Sequence, residues 1–179
     1  MLLGAIPAIA IISGLYGALH DQLSFSVSSE YFTRFKYAQF GFEPQWFGGH
    51  RQTVAVIGFL ATWWFGAFIA TFLAGTALLQ QNKSEMRKAI VRGAMITLGV
   101  AAICALLGLA YGWWFIRETP DGWLLPAGVV DRHAFLAVGS MHNCSYGGGV
   151  LGLIVALTDM EWRRLKRKAQ PPRTAGSPS

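Results

Sequence analysis

Four apolar runs, at about 2–19, 53–79, 93–116 and 134–158, constrain this chain more than anything else in it. Each holds about 18–27 residues, and a helix of about 20 apolar residues crosses the hydrocarbon core of a bilayer. Backbone polar groups in lipid must be satisfied within the segment, so such runs read as helices. The expectation is an all-α integral membrane protein: a four-helix bundle forming one domain over 1–168, with a tail from 169 to 179. Only 13% of the 179 residues are charged, about half the share usual in soluble domains.

The first run begins almost at the N-terminus, where a cleaved signal peptide is the competing reading. It has no Lys/Arg-rich leading region, and Tyr16-Gly-Ala before Leu19 is a poor cleavage site, so it reads as a retained span. The segment 20–51 is polar and aromatic together. Ser28-Ser29-Glu30-Tyr31 looks like a helix N-cap, and seven aromatic residues follow between Phe32 and Phe47. That density implies a compact, short helical cap at the headgroup level rather than a linker. The Pro/Ser/Gly-rich tail reads as disordered.

Charge sets the orientation. The loop 80–92 carries four Lys/Arg and the stretch 163–173 six, against three in 20–51 and two in 117–133. Basic residues favour the cytoplasmic side, so both termini and the middle loop read as cytoplasmic and the cap as outward-facing. The same distribution accounts for the net charge of +6 without nucleic acid as a partner. The partner it implies is the lipid bilayer, with other membrane subunits or a homo-oligomer left open.

Chemistry-bearing residues gather on the outward side. The fourth run contains Ser140-Met-His-Asn-Cys-Ser-Tyr-Gly-Gly-Gly149, and ionisable groups at such depth are costly to keep. Gly139, His142, Tyr146 and Gly149 share one helix face, and Gly148-x-x-x-Gly152 is a close-packing pattern on the adjacent row. His142 therefore reads either as hydrogen-bonded across helices or as a ligand or proton carrier. Cys144 points nearly opposite to it, and a disulfide with Cys104 is not expected.

His20 and Asp21 end the first run, and Glu30 comes within reach if the chain folds back. Imidazole and carboxylate together suit Zn, Mn or Fe, so His20, Asp21, Glu30 and His142 form a candidate site for a divalent metal. Their spacing matches no established ligand motif. A haem or chlorin is disfavoured because His20 lies higher than His142. His50 and His133 read as solvated, and Trp63-Trp64 and Trp113-Trp114 as packing and belt residues. Phosphate-binding and Ser-nucleophile motifs are missing from the sequence.

Tyr16-Gly-Ala-Leu-His-Asp-Gln22 with Glu30-Tyr-Phe32, Ala61-Thr-Trp-Trp64 and His142-Asn-x-Ser-Tyr-x-Gly148 together resemble a family of small, uncharacterised bacterial membrane proteins with about four spans. The resemblance covers most of the chain and implies a bacterial inner-membrane protein, with no reaction, cofactor or partner attached. Two function classes follow. The preferred one is a non-enzymatic membrane component or an accessory subunit of a larger assembly. The alternative is a metal-binding membrane enzyme or metal-handling protein. Transport is a third and weaker option.

Overall fold

A computed structural model describes residues 2–169, and every regular element in it is helical. The long helices are α1 (Leu2–Val27), α4 (His50–Ala77), α5 (Lys83–Phe115) and α6 (Arg132–Ala169). Between α1 and α4 lie the short α2 (Ser29–Tyr31), a π turn (Phe32–Lys36), α3 (Tyr37–Phe40) and a 3₁₀ turn (Pro44–Phe47). By length and composition, α4 and α5 are apolar enough to cross a membrane. The tail expected to be disordered lies, beyond Ala169, outside the described residues.

Local chemistry explains most of the boundaries. Asn82 caps α5, its side-chain oxygen accepting the Glu85 N–H at 3.0 Å, and Asp131 caps α6 through the Ala134 N–H at 2.9 Å. The glycines Gly41, Gly48 and Gly49 take positive φ and close the turns of the cap. At the start of α2, Ser28 holds the N-cap position but makes no side-chain cap bond. The first helix does not stop where its apolar run ends. It continues to Val27, so His20 and Asp21 sit on α1 rather than in the cap.

The helices associate as two close pairs, α1 with α4 and α5 with α6, which meet each other at far fewer positions. Missing side chains make each pair possible. A Cβ at Gly17 would lie 2.2 Å from the Gly58 carbonyl oxygen, and one at Gly58 would lie 2.3 Å from the Gly17 oxygen. On the other pair, a Cβ added at Gly108 would collide with Cys144 and one at Gly148 with Cys104, while Gly152 lies against Thr97. Gly139 faces the Trp123 ring and Gly149 faces Phe65. Both cysteines are free.

Two apolar cores hold the pairs together at opposite ends. Tyr31, Phe32 and Tyr37 of the cap pack on Val54, Ile57, Phe135 and Val138. At the other end, Leu73, Ile90, Leu153 and Met160 form the second cluster. Outside these, large apolar side chains face outward on all four long helices, among them Leu19, Phe68, Leu107 and Ile154. Isolated soluble domains rarely leave so much contiguous apolar surface uncovered.

Candidate metal centre

The site forms where α1 and α6 approach under the cap. Asp21 lies on α1 and His142 on α6, about 15 Å along α6 from its start at Arg132 at 1.5 Å per residue. Asp21 and His142 are 3% and 7% exposed. One carboxylate oxygen organises the cluster: Asp21 Oδ1 is 3.0 Å from His142 Nε2 and 3.1 Å from His20 Nδ1. A ligand atom from each of the three residues falls within 4.8 Å of the other two.

The proton inventory of this cluster is informative. His142 Nδ1 lies 2.9 Å from the Val138 carbonyl, which can only accept, so Nδ1 carries a proton. A neutral His142 then turns the bare lone pair of Nε2 toward an ionised carboxylate oxygen. Two lone pairs at 3.0 Å require a positive centre between them, either a proton shared by the ring and the carboxyl or a metal ion. Two ligands bound to one ion at about 2.0–2.2 Å stand at similar separations from each other. Ligating histidines also characteristically donate their other ring N–H to a carbonyl or carboxylate, as His142 does to Val138.

Aromatic rings roof the cluster. Tyr31 stacks on the His142 ring with centroids 4.8 Å apart, and the His20 ring meets His142 edge-on at 4.7 Å. Those two imidazoles are too close to flank a macrocycle. Lys36 is buried beside them. Its ammonium donates to Gln39 Oε1 at 3.0 Å and lies over the Phe35 ring, and burial pushes its pKa down.

Of the four residues expected to form the site, His20, Asp21 and His142 come together and Glu30 does not. The Glu30 carboxylate turns toward the loop before α6, accepting the N–H groups of Val130 at 3.0 Å and Asp131 at 2.8 Å. It works as a clasp between the cap and that loop. These backbone bonds, Val130 first, hold its carboxyl below the ordinary value of 4.5. The contribution is therefore complete above pH 4.5 and lost as pH falls through the lower folded value. Glu30→Gln is expected to speed amide exchange at Val130 and Asp131 at neutral pH, and acidification is expected to do the same in the unaltered protein. Unchanged exchange in the variant would rule the clasp out.

The remaining expected residues have specific partners. Tyr146 donates to the Ala61 carbonyl at 3.0 Å, tying α6 to α4, and Tyr16 and Ser145 share a hydrogen bond of 3.0 Å between α1 and α6. His50, expected to be solvated, is exposed, and it also bonds Tyr37 through Nδ1 at 2.9 Å and stacks on that ring. His133 meets the Trp113 ring edge-on. Tyr31 and Lys36 were not singled out in the sequence; their signal was placement in the aromatic-dense cap. Compared with family models, curated proteins and solved structures, the chain finds no match.

Proposed function

We propose that this chain is an inner-membrane metal-binding protein in which His20, Asp21 and His142 hold one divalent transition ion near the outward face. The observation that carries this reading is the shared Asp21 oxygen between two imidazole nitrogens, one of them the Nε2 of a ring whose Nδ1–H is donated to Val138. Two imidazoles and a carboxylate suit Zn²⁺, Fe²⁺ or Mn²⁺, and three protein ligands leave a position open for water or substrate.

In this reading α1, α4, α5 and α6 all span the bilayer, with both termini cytoplasmic. Support comes from the two helices apolar enough to span, α4 and α5, each paired along its length with one of the others. The apolar side chains facing outward on α1 and α6 point the same way. So do the basic residues clustered at the ends of α4–α5 and α6.

Purified in mild detergent after expression in metal-replete cells, the protein is expected to carry about one equivalent of Zn, Fe or Mn by elemental analysis. Chelation should remove it and readdition restore it. A protein that neither retains nor rebinds any of the three would sink the proposal.

One feature favours the second reading, an accessory subunit or homo-oligomer. Trp64, Phe68 and Phe72 repeat at four-residue spacing along α4 and are 53%, 50% and 45% exposed. A partner in the membrane would cover that ridge. A monomer by mass in mild detergent, unchanged by Phe68→Ala, would count against it.

A further inference from the structure

Between the two helix pairs, beside the metal cluster, lies a cavity of about 80 Å³, several times the ~10–15 Å³ that a single water centre needs. Its two ends differ. At the upper end Tyr16, His20, Asp21, His142 and Ser145 present polar atoms, and at the lower end Ile9, Phe65, Ile69 and Leu98 present only hydrocarbon. Along α1 the distance from His20 to Ile9 is about 16 Å at 1.5 Å per residue. Ile12 lines the cavity and is 51% exposed, which makes a side mouth facing the apolar surroundings of the bundle.

One polar atom at the upper end lacks a partner. His20 Nε2 is buried with no hydrogen bond among the described residues, on a side chain only 7% exposed. Buried polar atoms are nearly always satisfied, so a group that completes His20 belongs at this end.

We propose that the cavity binds the head of a lipophilic alcohol or phenol, its hydroxyl on His20 Nε2 and the rest of its apolar chain leaving through the side mouth at Ile12. The charge and hydrogen-bonding pattern select that headgroup. Among the described residues no Lys or Arg lines the cavity, while Asp21 does, so the metal-free pocket repels a carboxylate or phosphate head. A hydroxyl can both donate and accept. It therefore completes Nε2 whether His20 turns Nδ1 to a metal and keeps Nε2–H, or donates Nδ1–H to Asp21 and leaves Nε2 bare. The site does not depend on the metal, so it can be tested on chelator-treated protein and its failure told apart from failure of the metal reading.

The experiment uses the full chain, stripped of metal, in lipid nanodiscs at pH 7.5. Binding of 1-decanol, 4-octylphenol, decanoate and decane is followed by thermal unfolding and native mass spectrometry. The alcohol, the phenol or both are expected to bind with a saturable rise in melting temperature. Preference between them separates an aliphatic from an aromatic headgroup. His20→Phe is expected to weaken that binding about 5- to 10-fold, the loss of one hydrogen bond. Ala61→Leu, which adds bulk on the cavity wall and leaves the metal cluster in place, is expected to abolish it while the protein still folds. Tighter binding of decanoate, equal binding of decane, or hydroxyl binding unaffected by Ala61→Leu would overturn the proposal.

Discussion

Replacing Asp21 with alanine is expected to leave the protein without bound metal and measurably less stable. Its Oδ1 is the one atom that both imidazoles face, at 3.1 Å from His20 and 3.0 Å from His142. Without it, the two rings have no anion to neutralise the ion or to fix their approach. Altering even an outer-shell partner typically costs 10–100-fold in affinity, so loss of a direct ligand is expected to exceed about 100-fold. Leaving a buried hydrogen-bonding group without its partner typically costs about 1–3 kcal/mol, so the metal-free variant should also unfold earlier.

Asp21→Asn separates the two effects. The amide keeps the shape and turns its NH₂ to His142 Nε2, so folding should recover more than metal binding. Titration calorimetry with Zn²⁺ on both variants and on His142→Ala is the measurement. If Asp21→Asn bound zinc as tightly as the unaltered chain, the carboxylate would not be a ligand.

Three of the four expected site residues were legible because polarity at depth is anomalous wherever it occurs. His142 stands out within an apolar run, and His20-Asp21 interrupts another. Glu30 was misread for a physical reason: hydropathy marks where an apolar run ends, not where its helix ends. The first helix continues to Val27 and the chain turns only at Ser28, which aims Glu30 at the Val130–Asp131 backbone. Its neighbour Tyr31 turns inward instead and stacks on His142.

The close-packed glycines show the same mixture. Gly148 and Gly152 carried a visible pattern, and Gly108-x-x-x-Gly112 on α5 carries it equally. Gly58-x-x-x-Thr62-x-x-x-Gly66 on α4 is a run of small residues of the same kind, but nothing in that run says that Gly17 of α1 lies opposite it. Pairing of α1 with α4 across the intervening cap is a tertiary fact. Helical periodicity within either segment could not supply it.

That pairing makes Gly58→Ala the second large expectation. The added Cβ would meet the Gly17 carbonyl oxygen at 2.3 Å and its carbonyl carbon at 2.6 Å, both backbone atoms that cannot rotate away. The helices must separate. Separation also strains the reciprocal bonds in which Ser13 Oγ donates to the Thr62 carbonyl and Thr62 Oγ1 to the Ser13 carbonyl, at 3.0 and 2.8 Å. Overpacking of this kind costs about 1–3 kcal/mol, and Gly58→Leu should exceed that and prevent the pair from forming.

His20 lies one turn beyond Gly17, so moving α1 draws His20 and Asp21 away from His142. Gly58→Ala should therefore weaken metal binding without touching a ligand. Gly75 supplies the control on the same helix, since a Cβ there meets nothing within 4 Å. Gly75→Ala should be neutral or stabilising by up to about 1 kcal/mol, the helix-propensity gain. Thermal unfolding and zinc titration of the two alanine variants side by side decide the point. If Gly58→Ala matched Gly75→Ala in both, the α1–α4 contact would neither hold the bundle together nor position the metal ligands.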